Sequence, residues 1–159
     1  MKVITIILIT LLTPQICSGK NFSPEFVKHV FLNLDITSFP SSMGPKNFPE
    51  GTTMKETFKY FSTFSKLEIN SKQNAIEIYF NDSPKDPDLS KPGWEYDLKI
   101  LYIDENKKIT ACYTDMCHGL CTYAVIQPLT IEEKKGKYVV THAYDKSING
   151  CEYYIDSNG

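Results

Sequence analysis

Apolar and polar residues alternate most regularly in the segment WEYDLKILYI, residues 94–103. A period of two over this length predicts a β-strand with one buried face. The side chains on that face are Trp94, Tyr96, Leu98, Ile100 and Tyr102, and charged residues lie between them. We expect this face either to line a ligand cavity or to pack as ordinary core.

Shorter strand patterns lie on both sides of this segment. They cover residues 66–70, 74–81, 109–114, 121–127, 137–144 and 151–156, and polar turns separate them. Strands spaced this closely leave no room for crossover helices, so the sequence predicts a mainly β fold with an antiparallel meander. The meander is expected to form a barrel or a sandwich.

A helical pattern begins at Ser23, which can cap the first turn. Pro24 suits the first helical position, and Glu25 complements the positive end of the helix dipole. Apolar residues at helical spacing then predict a short N-terminal helix over 23–34. Residues 38–53 contain three prolines and two glycines, so we expect an irregular connection that covers a barrel end or carries a binding surface.

Residues 1–19 have the three-part layout of a secretory signal peptide. Lys2 supplies a positive start, an apolar run follows, and small residues precede a cleavage position after Gly19. The apolar run is shorter than the ~20 residues that cross a bilayer, so an uncleaved anchor is the less favoured alternative. We therefore expect a secreted, extracellular protein without a membrane span.

Removal of the leader leaves roughly 140 residues, the usual size of one domain. Within it we expect residues 20–53 to form the helix and the irregular segment, and residues 54–159 the antiparallel β domain. The net charge of −2 and the pI near 5.9 argue against a nucleic-acid binder, which would carry a basic footprint. Ten tyrosines and nine phenylalanines favour β structure and suit a protein that holds apolar ligands or docks on a partner.

The cysteine count indicates disulfide bonds. Four cysteines remain once Cys17 leaves with the leader: Cys112, Cys117, Cys121 and Cys151. An even number in an oxidising compartment points to two disulfides. A hairpin of the flanking strands would place Cys112 opposite Cys121 and bring Cys117 to Cys151. The pairing of Cys117 with Cys121 and of Cys112 with Cys151 is the close alternative.

The stretch CYTDMCHGLC, residues 112–121, is dense in metal-ligand residue types, but its spacing does not fit a zinc site. Structural zinc sites usually contain paired C-x2-C or H-x3-H units, whereas this stretch has the order C-x4-C-H-x2-C. His118 is therefore interpreted as a bystander. A nucleophilic cysteine needs a free thiolate, and no G-x-S-x-G run occurs. The sequence thus favours a protein that is not an enzyme and has no metal or cofactor.

His142 is the histidine that alternation places among other ligand-type side chains. It shares one face of its predicted strand with Tyr138, Val140 and Tyr144, which makes it a candidate lining residue. An ordinary half-buried histidine is the alternative interpretation.

Two asparagines lie in N-x-S sequons and are candidate glycosylation sites. They are Asn21 and Asn81. A proline follows each sequon directly, and its rigid ring disfavours the acceptor conformation.

The stretch CYTDMCHGLCTYAVI, with Thr114 and Asp115, resembles the strand–turn–strand of small secreted lipocalins (calycins) of the arthropod salivary type. PGWEYD, with adjacent Gly93 and Trp94, is similar to the glycine–tryptophan signature of that family. The resemblance covers residues 54–156. It implies a barrel that holds a small hydrophobic or amphipathic ligand, or that binds a host protein.

Two functions follow as hypotheses for a monomeric secreted protein. The first is sequestration of a small hydrophobic or amphipathic ligand, with the residues Trp94, Tyr96, Leu98, Ile100, Tyr102 and His142 as the expected site. The second is binding of an extracellular protein through the loops 38–53 and 82–93, as an effector, toxin-like factor or enzyme inhibitor. A cavity of a few hundred Å³ would favour the first hypothesis, and a solid core with an exposed aromatic patch would favour the second.

Overall fold

The computed structural model describes residues 21–60, 64–80, 93–118 and 122–152. Its elements are α1 (Pro24–Leu32), α2 (Met54–Thr57), β1 (Phe64–Asn70), β2 (Ala75–Phe80), β3 (Trp94–Ile103), β4 (Ile109–Cys117), β5 (Ala124–Lys134) and β6 (Lys137–Ala143). The leader, Asn81, most of the loop 82–93, Cys121 and the end of the strand predicted over 151–156 lie outside the described residues.

The six strands form one antiparallel sheet in the order β1-β2-β3-β4-β5-β6. The predicted mainly β meander is therefore confirmed. Its two outer strands, β1 and β6, do not pair with each other in the described chain, so the sheet is not closed. The β5–β6 turn consists of Lys135 and Gly136, both with positive φ, which is the two-residue hairpin connection that matches strand twist.

Helix α1 confirms the predicted N-terminal helix and covers one face of the sheet. Ser23 Oγ accepts the N–H of Phe26, and Pro24 occupies the first turn. The helix packs on β1, β2 and β3. We call this side of the sheet the core face; its buried side chains include Val27, Val30 and Phe31 of α1, Ile76 and Ile78 of β2, and Leu98 and Ile100 of β3. None of the described helices is long and apolar enough to cross a membrane.

The C-terminal segment lies on the opposite side of the sheet, the outer face. Cys112 forms a disulfide with Cys151, and Lys99 Nζ donates a hydrogen bond of 3.1 Å to the carbonyl of Gly150. Lys99 and Cys112 are direct cross-strand partners. Because this cover lies over β3 and β4, β4 is buried on both faces along most of its length.

The disulfide corrects the expected cysteine pairing. Cys112 bonds to Cys151, so the pairing of Cys112 with Cys121 and of Cys117 with Cys151 is wrong. The reason is register, because β4 continues to Cys117 and places Cys112 opposite Pro128. Cys117 is also disulfide-bonded. Its bond to Cys121 stays a prediction, since Cys121 lies outside the described residues.

A bulge in β3 corrects the predicted face of Tyr102. Ile100 pairs with Ala111, whereas Tyr102 pairs with Thr110, so one extra residue of β3 is accommodated between them. Tyr102 therefore leaves the face of Trp94, lies on the outer face and is 55% exposed.

A second irregularity, in β6, does the same to His142. Val140 pairs with Ile131, but His142 pairs with Thr130, and Thr141 is the extra residue. His142 is exposed on the outer face, where its ring packs edge-on against Tyr144 with 4.4 Å between centroids. The prediction that His142 shares a face with Tyr138 and Val140 is wrong.

Candidate ligand-binding cleft

Asp115 is the centre of a hydrogen-bond network on the core face. Its side chain is 1% exposed and accepts three hydrogen bonds. Trp94 Nε1 donates to Oδ1 at 2.8 Å, Ser42 Oγ donates to Oδ1 at 2.7 Å, and the backbone N–H of Ser42 donates to Oδ2 at 2.7 Å. The Tyr96 hydroxyl lies 3.2 Å from Ser42 Oγ and extends the network along β3. A buried carboxylate with this many donors fixes the groups around it.

The network attaches the irregular segment 38–53 to the sheet. Phe39 packs edge-on against Tyr113, with 4.9 Å between ring centroids, and Met43 is buried in the core. Asn47 Nδ2 closes the turn with a bond of 2.6 Å to the carbonyl of Ser42. The segment is therefore irregular, as predicted, but it is held by side chains at several points.

A cleft opens between this segment and the first half of β5. Residues 40–42 and 44–47 line one wall, and Tyr123, Val125 and Gln127 line the other. We call it the loop cleft; its volume is about 480 Å³. Tyr123 is 38% exposed, and its ring lies 5.7 Å from that of Trp94. The wall of the cleft thus contacts the Asp115 network directly.

Two buried polar atoms next to the cleft have no hydrogen-bond partner within the described chain. They are the Tyr113 hydroxyl and Gln127 Oε1. Tyr113 is 1% exposed, and its Cα pairs with that of Gln127 across β4 and β5. Burial, followed by the charge of Asp115, raises the pKa of Tyr113 well above its ordinary value. The same two causes raise the pKa of Tyr123. Both phenols therefore remain protonated donors at neutral pH.

The expected site residues fall into three places. Trp94 and Tyr96 belong to the network behind the cleft wall. Leu98 and Ile100 are fully buried beneath α1, which confirms the packed-core interpretation for these two. Tyr102 and His142 lie on the outer face, at the two ends of one cross-strand row that also contains Thr110 and Thr130.

A second cleft, of about 530 Å³, lies at the opposite end of the core face. Its apolar lining comes from Phe26, Ile103, Ile109 and Tyr138. Lysines and glutamates of the two hairpins stand at its rim, where Lys108 Nζ and Glu132 Oε1 form an ion pair of 2.9 Å. Since charges of both signs neutralise each other there, this rim selects a ligand less sharply than the loop cleft does.

The outer face carries a group of carboxylates on β2 and β3. Glu77 and Asp97 are cross-strand partners, and Glu95 follows on the same face. Burial, then repulsion from Glu77 and Glu95, raises the pKa of Asp97 to about 7. Glu95 Oε2 lies 2.7 Å from His118 Nε2, so the histidine interpreted as a bystander has a carboxylate partner. Among the described residues, no group of three or more His, Cys, Asp or Glu side chains is arranged to hold a metal ion.

Sequence patterns missed most residues of the loop cleft. Ser42 and Gln127 carry no motif, and the resemblance quoted Asp115 only as part of a Thr-Asp pair. One signal was available: Ile109, Ala111, Tyr113 and Asp115 have the same parity on β4. Alternation therefore places a carboxylate at a core position, and such a group needs buried donors.

Comparisons with protein-family models, with curated proteins and with solved structures give no match to this chain. The site is therefore interpreted from its own geometry.

Proposed function

We propose that the protein is a secreted binding protein that sequesters a small amphipathic ligand in the loop cleft. The observation that carries the proposal is the Asp115 network, because it fixes both walls of the cleft in place. Ser42 belongs to one wall, and Trp94 supports Tyr123 of the other. A preformed site loses little conformational entropy when it binds a ligand.

The size and chemistry of the cleft support the same function. About 480 Å³ lies within the range of small-molecule sites, which is roughly 300–1,000 Å³. The aromatic ring of Tyr123 and the side chain of Val125 offer apolar contact, and Gln127 offers a polar anchor. The Cys112–Cys151 disulfide supports an oxidising compartment, in agreement with the secretion expected from residues 1–19.

The test uses Trp94, which is the single tryptophan of the chain. Purified mature protein is titrated with 8-anilinonaphthalene-1-sulfonate and with oleate, and the Trp94 emission is followed. We expect saturable quenching with at least one probe, since Tyr123 links the cleft to the indole ring.

Two variants locate the binding. Val125→Phe fills part of the cleft and should weaken binding about tenfold or more, whereas Thr141→Phe adds the same ring on β6 and should leave it unchanged. No saturable quenching by either probe, or equal weakening by both variants, would contradict the proposal.

A further inference from the structure

Tyr113 and Gln127 are exceptions in a region where the other polar atoms are well bonded. Ser42, Trp94 and Asp115 satisfy each other within the same network. The Tyr113 hydroxyl and Gln127 Oε1 are buried yet have no partner in the described chain. Buried polar atoms are nearly always hydrogen-bonded, and exceptions concentrate at functional sites.

The two atoms form a complementary pair. They belong to directly paired residues of β4 and β5, and alternation places both side chains on the core face. The phenol of Tyr113 stays protonated because burial and Asp115 raise its pKa, so its O–H donates. Gln127 Oε1 accepts, and Gln127 lines the loop cleft. A ligand that satisfies both must present an acceptor and a donor side by side.

A cis-amide edge has this arrangement, because a ring N–H stands next to a C=O in lactams and related heterocycles. Tyr123 offers a partly exposed aromatic face against which a planar ring can stack. Lys46 is the one charged residue among those that line the cleft. A flat, uncharged ring therefore suits the cleft better than a charged ligand.

We propose that Tyr113 Oη and Gln127 Oε1 are the specificity-determining pair of the loop cleft and select a planar, uncharged heterocycle with a cis-amide edge. This inference rests on the proposed function, since it names the class of ligand for the same cleft. The ligand carbonyl accepts from Tyr113, and the ligand N–H donates to Gln127.

The test compares quinolin-2(1H)-one with 1-methylquinolin-2(1H)-one, which differ by a methyl group on the ring nitrogen. The dissociation constants are measured by calorimetry on the full mature chain. Wild type should bind the N–H compound about tenfold more tightly or better, because only that compound can donate to Gln127. Gln127→Leu and Tyr113→Phe should each weaken its binding by a similar factor, and Gln127→Leu should abolish the preference between the two compounds.

A stability measurement separates recognition from a structural role. If the Tyr113 hydroxyl has no partner without ligand, Tyr113→Phe should leave the unfolding midpoint unchanged or raise it by about 2 °C, while it weakens binding. A lower midpoint would show that the hydroxyl is bonded within the fold and would overturn the inference.

The remaining outcomes distinguish the two proposals. Equal affinity of wild type for both quinolinones, or binding of neither while 8-anilinonaphthalene-1-sulfonate still binds and is weakened by Val125→Phe, overturns the cis-amide selection and leaves the cleft as a binding site. Binding of neither quinolinone, together with no saturable signal from the sulfonate or oleate, overturns both.

Discussion

Two aspartates on neighbouring strands show how the same side chain behaves on the two faces of one sheet. Asp115 of β4 lies on the core face and accepts three hydrogen bonds of 2.7–2.8 Å. Asp97 of β3 lies on the outer face, where Thr114 Oγ1 stands 3.5 Å from one oxygen and the other has no partner among the described residues. Donors placed by a loop distinguish the two sites, and the strand pattern alone does not supply them.

The difference has a physical consequence for each site. At Asp115 the carboxylate joins the segment 38–53, β3 and β4, so it fixes the loop cleft. At Asp97 burial and two neighbouring glutamates oppose the negative charge and raise the pKa to about 7. The first aspartate therefore stabilises the fold, and the second costs stability whenever it is ionised.

Removal of the Asp115 carboxylate should break the comparison most strongly. Asp115→Ala strands three donors in the core, and we expect the free energy of unfolding to fall by about 4 to 5 kcal/mol. Urea unfolding followed by circular dichroism measures the loss. Asp145→Ala, at an exposed position, is the control and should change stability by less than about 0.5 kcal/mol. A loss below about 1 kcal/mol for Asp115→Ala would show that the network contributes little.

Loss of the disulfide should affect the cover of the outer face and spare the Asp115 network. The paired change Cys112→Ala with Cys151→Ala opens a loop of sequence separation 39 and should cost about 4 kcal/mol through the entropy of the unfolded chain. Urea unfolding measures this cost. The Trp94 emission maximum of the folded variant should equal that of wild type, and a red shift would show that the two faces are coupled.

Neutralisation of Asp97 should have the opposite sign to Asp115→Ala. The folded-state pKa of about 7 lies above the ordinary value of 3.8, so the folded protein binds more protons than the unfolded chain between these values. The free energy of unfolding of wild type therefore falls as pH rises from about 4 to 7 and then levels off. Asp97→Asn removes this loss, and above pH 7 it should be more stable than wild type by about 2 to 3 kcal/mol.

Unfolding curves of wild type and Asp97→Asn at pH 4.5, 6 and 8 check this prediction. The gain should shrink toward zero at the lowest pH. Equal stability of the two proteins at pH 8 would mean that Asp97 is solvated in the folded state. Asp104→Asn, in the exposed β3–β4 turn, provides a comparison outside the buried sites.

The smallest effect is expected at Tyr102, which sharpens the contrast between the faces of β3. Tyr102→Ser removes a ring that is 55% exposed on the outer face, so stability should change by about 0.5 kcal/mol or less. Binding of 8-anilinonaphthalene-1-sulfonate should stay the same. Tyr96→Phe, on the core face, is the matched change of an aromatic residue, and a weaker signal there with none at Tyr102 would support the assignment of the cleft.

Strand alternation predicted the meander and the core face of β3 because the period of two depends only on neighbouring residues. It failed at Tyr102 and His142, since a single extra residue in each strand reverses every face beyond it. Nothing in the local sequence marks those extra residues. The cysteine pairing failed for a related reason, because β4 continues farther than its apolar pattern indicates and shifts the hairpin register.

The candidate site was less predictable than the fold. Asp115 contacts Ser42, which is 73 residues away in the chain, and such a contact leaves no trace in local periodicity. Trp94 and Tyr96 were named from their strand face, and the structure places both at the network. Gln127 and Tyr113 depend on the β4–β5 register, which becomes known only when the sheet is assembled.

The last strand of the sheet has a consequence for solubility. The backbone of residues 33–35 bonds to both the N–H and the carbonyl of Tyr138, at 2.9 and 2.8 Å, and Ser38 Oγ accepts the N–H of Val140 at 3.0 Å. An exposed edge strand is a template on which other chains can add strands and aggregate. Here the N-terminal segment occupies the first half of that edge, so the chain protects itself from edge-to-edge association with residues that precede the sheet.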